Sequence, residues 1–248
     1  MARQTGIIGI QGTVGGLVFG KNGNISQKPA SDKAAFANAP SRARTRENAA
    51  EFGLAAKYSK VLRDSLRVAI ASASDSQLAA RLTKVMREVI GLDDTNDRGQ
   101  RVFDSGNSAP LLGFNFNAGA GISQTMYFPY EVTGNGADVT MSIPALNPAS
   151  DIAAPQGATH FEVVFAALDL NMEALTFTNA VVAAPLGILP LNSAPLANQT
   201  VVASFPAAPA DANLVVGVVG INFYQQINGK FYALNNNSTN PLAIEYVA

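Results

Sequence analysis

The chain of 248 residues carries 17 Lys and Arg against 18 Asp and Glu, so its formal net charge at pH 7 is −1. Hydrophobic residues make up 48%, which is enough for a sizeable core, and the absence of cysteine excludes disulfides, thiolate nucleophiles and thiolate metal sites. The longest apolar runs are far shorter than the ~20 residues that a membrane-spanning helix needs, so we expect no membrane span.

The near-zero net charge hides an uneven distribution along the chain. Residues 1–101 contain 16 basic and 9 acidic side chains, a net +7, whereas residues 102–248 contain 1 basic and 9 acidic, a net −8. This split favours head-to-tail association between copies, or docking of a basic face on nucleic acid or an acidic partner. Only 14% of residues are charged. A surface made of small and uncharged polar residues is typical of proteins that pack against copies of themselves, and also of glycan-binding β-domains.

Residues 1–40 are predicted to form a glycine-rich β-arm followed by a linker. Short strands are expected at Ile7–Gln11, Leu17–Phe19 and Ile25–Lys28, with turns at 12–16 and at Asn22-Gly23, a pair typical of type I′ hairpins. So small an element cannot bury its own apolar face. We therefore expect it to pair with the rest of the molecule or with a neighbouring subunit.

Residues 41–101 are predicted to form a basic helical hairpin. The first helix begins near Ser41 and runs for about thirty residues, and the second covers Asp75–Ile90, with Ser74 and Gln77 as a capping box and Gly91 as the stop. The first apolar stripe comprises Phe52, Ala55, Ala56, Leu62, Leu66 and Ala69, widened by Tyr58, Val61 and Val68; the second comprises Leu78, Leu82, Val85 and Val89. The short connection predicts antiparallel packing.

Residues 102–248 are predicted to form an acidic β-sandwich of the jelly-roll or immunoglobulin-like kind, which makes the whole chain α+β. The nine expected strands are 109–117, 124–133, 137–143, 159–168, 174–182, 199–205, 213–226, 230–235 and 242–247. Asn228-Gly229 predicts a second hairpin turn. The segments Pro144–Gly157 and Ala183–Asn198 are expected to be long, almost uncharged loops that contact a partner or a ligand.

The sequence indicates no catalytic residue, cofactor or metal site. The single histidine, His160, precedes an apolar strand, and no G-x-S-x-G elbow accompanies it. The acidic stretch Asp93–Asp97 fails as a calcium loop, because Arg98 and Ser105 stand where oxygen ligands are needed, so we expect a solvated loop. The glycines near the N-terminus lack the phosphate-binding pattern. Carboxylates of the β-half are scattered, although folding can still bring two together for hydrolysis.

Ten basic side chains lie on or near the predicted helices and are candidates for neutralising phosphates: Arg42, Arg44, Arg46, Lys57, Lys60, Arg63, Arg67, Arg81, Lys84 and Arg87. Four acidic residues interrupt them, and no aromatic side chains are interleaved for base stacking. Nucleic-acid binding is therefore less favoured than a protein partner or a plain solvated helix.

Four stretches of the N-terminal part resemble a known group of proteins. They are Met1–Ile8 (MARQTGII), Gly12–Phe19 (GTVGGLVF), Thr45–Gly53 (TRENAAEFG) and Leu62–Arg67 (LRDSLR). They are similar to the start of proteins associated with tailed phages, including crAss-like phages, and with related prophage regions. The resemblance covers about the first seventy residues and implies a structural role in the virion. It assigns no catalytic or binding residue.

We therefore expect a non-enzymatic structural protein that assembles with copies of itself, and with other virion proteins, into a phage virion or phage-like polymer made in the host cytoplasm. The assembly contacts are expected at Ile7, Ile8, Val14, Leu17, Phe19, Arg42, Arg46, Lys57, Lys60 and Arg67. The alternative is a glycan- or receptor-binding module with Tyr127, Tyr130, Tyr224 and Tyr232 as stacking aromatics. A hydrolase that uses carboxylates is a third, weaker hypothesis.

Overall fold

The computed structural model describes residues 2–3, 10–28, 33–182, 185–234 and 238–248. The chain divides into two compact units, Met1–Arg46 and Glu47–Ala248. Helices and antiparallel sheets are both present, with short N-terminal strands, so the predicted α+β class is confirmed. The helices predicted within 41–101 belong mainly to the same compact unit as the larger sheets.

The first unit contains a small antiparallel sheet followed by short helical turns. Its strands are β1 (Ala2–Arg3), β2 (Gly12–Val14), β3 (Leu17–Phe19) and β4 (Asn24–Gln27), in the spatial order β1-β4-β3-β2. Helix α1 (Lys33–Asn38) and a 3₁₀ turn (Pro40–Arg42) follow. Residues 12–16 were predicted to form a turn. Instead, Gly12–Val14 belong to β2, and only Gly15-Gly16 form the turn. At Asn22-Gly23 the glycine alone has positive φ, so the predicted type I′ turn is wrong there.

Three helices form one layer of the second unit: α2 (Ala43–Ser65), whose first four residues belong to the first unit, α3 (Arg67–Ser72) and α4 (Leu78–Gly91). The long first helix was predicted without a break, but it is interrupted at Leu66, where φ is −97° and ψ is 15°. The Ser65 hydroxyl donates a hydrogen bond to the Leu62 carbonyl at 2.8 Å, a contact that bends helices. The predicted capping box is also wrong, because Asp75 Oδ1 accepts from Gln77 N and no side chain caps α4.

The buried faces of α2 and α3 differ from the predicted stripe at one position each. On α2, Ala55, Tyr58 and Leu62 are buried as expected, whereas Phe52 is 60% exposed. On α3, Val68 is exposed. The 3.6-residue period places Glu51 on the inner face in place of Phe52. A charged residue therefore occupies an interior position that an apolar pattern cannot predict.

Nine further strands and two short helices complete the second unit within its described residues. They are α5 (Ile122–Thr125), β5 (Glu131–Asn135), β6 (Asp138–Leu146), α6 (Pro148–Asp151), β7 (His160–Asn171), β8 (Thr176–Val182), β9 (Ile188–Pro190), β10 (Leu196–Ser204), β11 (Leu214–Ile227), β12 (Lys230–Ala233) and β13 (Leu242–Val247). One sheet has the order β12-β11-β7-β8, with β13 also paired to β11 and β9 to β7; the other has the order β10-β6-β5.

The two sheets pack face to face, and the helices cover the other face of the larger sheet. Met141 and Val201 of the smaller sheet share a core with Val163 and Ile221 of the larger one. On the opposite face, side chains of β7, β11 and β13 share a core with α2 and α4. Strands β8 and β10 approach each other, as do β5 and β13, so the sandwich curls into a half-barrel. Because β7 and β11 are covered on both faces, they are almost continuously apolar.

Several predicted β-segments have a different structure. Residues 109–117 form a 3₁₀ turn (Ala109–Leu111) and an isolated bridge at Asn115, because Arg81 of α4 binds the carbonyls of Asn115 and Phe116 and holds this segment against the helix. The two expected long loops are partly structured: 144–157 contains the end of β6 and α6, and the second contains β9 and the start of β10. Residues 183–184 of the latter lie outside the described residues.

The hairpin turn predicted at Asn228-Gly229 is confirmed. Both residues have positive φ, 50° and 78°, and Ile227 pairs directly with Lys230. These are the features of a two-residue type I′ turn between β11 and β12.

Candidate assembly surface

The small sheet of the first unit has one apolar face. The register pairs Val14 with Leu17 and Phe19 with Ile25. Directly opposed residues lie on the same face of an antiparallel sheet, and residues two apart along a strand share that face. Val14, Leu17, Phe19 and Ile25 therefore form one apolar surface, which we call the arm face.

The arm face is not buried. Val14 is 64% exposed and Leu17 is 46% exposed, while Phe19 and Ile25 are half-buried. No buried side chain occurs among residues 10–28, 34 and 36–46, for which burial is described. A three- or four-stranded sheet normally owes its stability to a covered apolar face. Among the described residues of this sheet, the apolar face is therefore only partly covered.

The structure brings three of the predicted assembly residues together and leaves others apart or outside. Val14, Leu17 and Phe19 share the arm face, whereas Ile7 and Ile8 lie outside the described residues. Ile25 was missed, although the alternation of Ile25 with polar neighbours in 24–27 was the available signal. The edge strands of this sheet are β1 and β2, and β2 is three residues long.

The two predicted arginines near the unit boundary differ in their contacts. Arg46 donates from Nη1 to the carbonyl oxygens of Phe36 at 2.9 Å and Ala39 at 3.0 Å. These bonds hold the turn that precedes α2, so the Arg46 guanidinium is engaged within its own unit. Arg42 lies on the 3₁₀ turn and is exposed.

The basic residues of the helices separate into an internal and an external set. Arg81 binds Asp75 and the carbonyl oxygens of Asn115 and Phe116, and Arg87 pairs with Glu51. The exposed set includes the predicted assembly residues Lys57, Lys60 and Arg67; Lys60 lies 3.4 Å from Asp64. The surface available to phosphates or to an acidic partner is thus smaller than the sequence suggests.

The four predicted stacking tyrosines lie in three separate places. Tyr127 is exposed beside the 144–157 segment, where its backbone N–H donates to the Asp151 carbonyl at 2.8 Å. Tyr130 contacts Glu245. Tyr224 and Tyr232 lie on the β11–β12 hairpin, but on opposite faces, because Tyr232 pairs with Gln225. No single binding surface contains all four.

Tyr224 belongs to a cluster of polar and aromatic side chains at one end of the larger sheet. Its hydroxyl donates to Glu162 Oε2 at 2.6 Å, and Asn222 Nδ2 donates to the same oxygen at 3.1 Å. Burial and the hydrogen bond to Glu162 raise the pKa of Tyr224 to about 12. The ring of Phe231 lies 6.4 Å from Tyr224 and 5.0 Å from His160, both edge-on. We call these five residues the Tyr224 cluster.

His160 takes part in this cluster through its ring and one nitrogen. Its Nδ1 is 2.9 Å from the Thr159 hydroxyl, which also accepts a hydrogen bond from Gln226 N at 2.8 Å. His160 is therefore part of the hydrogen-bonding network at this end of the larger sheet.

Within the described part of the chain, no three His, Cys, Asp or Glu side chains are grouped so as to hold a metal ion. Among the same residues, no helix combines the length and apolarity needed to cross a bilayer.

Asp93 is a buried carboxylate that accepts hydrogen bonds from the loop after α4, a role that the sequence did not identify. The prediction of a solvated loop is wrong for this residue, because its carboxylate accepts hydrogen bonds from Thr95, Asn96 and Val102. The Val102 N–H and the side chains of Asn96 and Thr95 hold the pKa of Asp93 well below its usual value. Asp93 therefore closes the loop that follows α4.

No family model, curated protein or solved structure shows significant similarity to this chain.

Proposed function

We propose that the chain is a non-enzymatic structural protein that assembles with copies of itself, through its N-terminal unit, into a phage virion or phage-like polymer. The observation that carries the proposal is the incompletely buried arm face, formed by Val14, Leu17, Phe19 and Ile25. The resemblance of the N-terminal stretches to tailed-phage proteins supports the same role. Its partners are other copies and neighbouring virion proteins, and it is made in the host cytoplasm.

The size of the arm face sets the expected strength of one contact. Fully burying a Val, Leu, Ile or Phe side chain stabilises by about 1.5–3 kcal/mol, and these four are already partly covered. Holding two subunits together costs about 4–15 kcal/mol of translational and rotational freedom. A single arm contact is therefore weak. Assembly requires many repeated contacts or a second interface.

Charge favours the same association. Residues 1–46 contain 7 basic side chains and 1 acidic one, while residues 102–248 have a net charge of −8. A basic arm on one copy is attracted to the acidic β-half of another, which steers encounter and makes assembly sensitive to salt. Screening shortens the range of exposed charges from about 14 Å at about 50 mM salt to a few ångströms near 500 mM.

The test compares the full-length protein with two aspartate variants of matched exposure. Leu17 is 46% exposed on β3 and Val202 is 47% exposed on β10, so Leu17→Asp and Val202→Asp place the same charge on two strands. Light scattering and electron microscopy at both salt concentrations should show rings, tubes or filaments for the wild type and for Val202→Asp. Leu17→Asp should lower the mean mass. A monomeric wild type at both salts, or an unaffected Leu17→Asp, contradicts arm-mediated assembly.

A second candidate function is glycan or receptor binding, which the Tyr224 cluster favours. Aromatic rings, a carboxylate and an amide at one partly exposed sheet end are groups that bind sugar rings and hydroxyls. Binding of the full-length protein to a polysaccharide array, lost in Phe231→Ala and retained in Tyr127→Ala, would support it. The full chain is needed, because the helices of 47–91 share a core with the β-half and a fragment from residue 102 would expose that core.

A further inference from the structure

A concave site lies where the end of α2, the helix α3 and the first turn of α4 meet, and it encloses about 360 Å³. Arg63 of α2, Arg67 of α3 and Leu78 of α4 line it. Ser74 and Ser76, on the connection between α3 and α4, also border it, and both are exposed. The site therefore combines two guanidinium groups with two hydroxyl groups.

Arg63 and Arg67 lie on adjacent helical turns, although the helix is interrupted between them at Leu66. The Leu66 N–H donates to the Leu62 carbonyl at 3.3 Å, and the Ile70 N–H donates to the Leu66 carbonyl at 2.9 Å, so the four-residue hydrogen-bonding pattern continues. Side chains at this spacing are neighbours, and two like charges there repel each other. An anion that contacts both arginines removes this repulsion.

Neither arginine is neutralised within the described part of the chain. No ion pair or hydrogen bond of either guanidinium occurs among those residues, and Arg63 Nε is buried without a hydrogen-bond partner. The two carboxylates that border the site are already used, because Asp64 lies 3.4 Å from Lys60 and Asp75 binds Arg81. The site therefore has two positive charges in excess.

The donors of the site fit a phosphate group better than a carboxylate. Each guanidinium presents a planar fork of N–H donors that matches two oxygen atoms of an anion. A carboxylate has only two oxygen atoms, which one fork already occupies. A phosphate monoester has three acceptor oxygens and a charge of about −1.5 to −2 at pH 7, so it can satisfy two forks and two positive charges. No side chain caps α4, whose dipole favours an anion at this wall.

We propose that Arg63 and Arg67 together bind one phosphate group, as the free ion or as the monoester of a small molecule. The hydroxyl groups of Ser74 and Ser76 donate further hydrogen bonds to it. This binding site goes beyond the proposed assembly role and does not depend on it.

A nucleic acid fits the surroundings of this site less well than a single phosphate group. Its backbone requires a row of cations, and each phosphate that is neutralised adds to the salt dependence of binding. The other basic residues of these helices that form ion pairs within the chain are Lys60, Lys84, Arg81 and Arg87. The arginine pair is therefore not continued by these four residues into a longer basic track.

The test is calorimetric titration of the full-length protein, in a phosphate-free buffer of low salt, with sodium phosphate and separately with glycerol phosphate. Each ligand that fits should bind once per chain. Arg63→Met and Arg67→Met should each weaken binding about tenfold or more, since each removes a charged hydrogen-bonding fork. Arg63→Lys keeps the charge but not the fork and should cause a smaller loss. Lys57→Met, an exposed cation of α2 outside the site, should leave the affinity unchanged.

Arg67 is exposed, so Arg67→Met should fold normally, and equal thermal midpoints without ligand check this. The two sources of the phosphate group are also distinguished. Binding of sodium phosphate alone assigns the free ion, and tighter binding of glycerol phosphate assigns a monoester. Failure of both to bind, or equal affinity in Arg67→Met and Lys57→Met, overturns the site.

The charge of the ligand gives an independent readout. A phosphate monoester takes up its second proton near about pH 6, so glycerol phosphate should bind less tightly at about pH 5.5 than at about pH 7.5. Sulfate keeps both charges over this range, so its affinity reports changes in the protein alone and should stay nearly constant. Acetate should bind far more weakly than phosphate at pH 7.5. Equal affinities for acetate and phosphate would contradict the assignment of a doubly charged ligand.

A short DNA duplex completes the experiment. If it binds more tightly than phosphate, with a salt dependence that corresponds to several neutralised phosphates, and if Arg63→Met abolishes that binding, the assignment of a single phosphate group is wrong. Weak duplex binding that is unchanged in Arg63→Met supports the assignment.

Discussion

Glu51 and Arg87 form an ion pair between α2 and α4, and the Glu51 side chain is completely buried. Arg87 Nη2 and Glu51 Oε2 form an ion pair, but the geometry of this contact is not that of a hydrogen bond. The other carboxylate oxygen of Glu51 accepts a hydrogen bond from Gly99 N at 2.7 Å. Gly99 has a φ of 90°, and a side chain there would collide with Glu47. One carboxylate thus connects two helices and the loop that follows them.

Removing the arginine of this pair should destabilise the protein strongly. Arg87→Met keeps most of the side-chain volume but leaves the Glu51 carboxylate buried without a counter-charge, which typically costs about 3–5 kcal/mol. Arg67→Met changes an exposed arginine on α3 and should cost less than about 1 kcal/mol. Urea unfolding at one protein concentration measures both. Equal losses for the two variants would mean that the interior pair contributes no more than a surface arginine.

Asp93 should make the protein sensitive to acid. Its pKa is lowered from the usual 3.8 by hydrogen bonds that exist only in the folded state. The stabilisation is therefore complete above about pH 4 and is lost as the pH falls through the lowered pKa. Asp93→Asn should be less stable than the wild type at pH 7, and its unfolding midpoint should fall less steeply below pH 4.

The exposed neighbour Asp94 provides the control for this measurement. Asp94→Asn changes the net charge by the same amount at an exposed site in the same loop. Its thermal midpoint should follow the wild type across the acid range. If Asp93→Asn and Asp94→Asn behave alike, the acid sensitivity arises from general charge and not from the Asp93 hydrogen bonds.

Most strands of the β-half could be predicted from the sequence, because their apolar runs end at glycine, proline or asparagine. Strand β13 has the predicted bounds, Leu242–Val247, and β7 and β11 differ by only a few residues. The wrong strand predictions are explained by tertiary contacts or by the lack of a local pattern. Residues 109–117 are apolar enough for a strand, but Arg81 binds their carbonyl groups from a distant helix. Strand β9 is three residues long and ends in proline, so no local pattern marks it.

The candidate surfaces were predictable to different degrees. The apolar residues of the arm face are visible in the sequence, but the pairing of Val14 with Leu17 and of Phe19 with Ile25 follows from the register. The exposure of Phe52 was not predicted, because the apolar stripe placed this residue in the core. Its true exposure depends on Glu51 occupying the inner face, and burial of a carboxylate depends on an arginine that is 36 residues away.

Gly220 in β11 should tolerate no side chain. A Cβ atom there would lie 2.6 Å from the Pro241 carbonyl oxygen and 2.9 Å from Leu242 Cδ1, and the backbone oxygen cannot move away without disturbing β13. Gly220→Ala should therefore cost about 1–3 kcal/mol. Gly53, exposed on α2, has no atom within 4 Å of such a Cβ. Gly53→Ala should stabilise by about 0.5–1 kcal/mol through helix propensity. Denaturant unfolding that gives the same sign for both would contradict the packing at Gly220.

Glu245 is the unpaired residue of a β-bulge in β13, since Ile244 pairs with Val218 and Tyr246 with Gly217. Burial raises the pKa of Glu245 above its usual 4.5, and a hydrogen bond from Tyr130 lowers it only in part. The folded state therefore binds the proton more tightly than the unfolded state. The contribution of Glu245 to stability is therefore fully present at and below about pH 4.5 and is lost as the pH rises through the raised pKa.

Glu245→Gln should remove this pH dependence, because the amide stays neutral and its oxygen still accepts from Tyr130. The variant should match the wild type near pH 4 and exceed it in thermal midpoint at pH 7. Glu131→Gln, on the exposed part of β5, should leave the difference between the two pH values unchanged. A Glu245→Gln protein that is less stable than the wild type at pH 7 would show that the carboxylate is stabilised by its surroundings, which would contradict a raised pKa for Glu245.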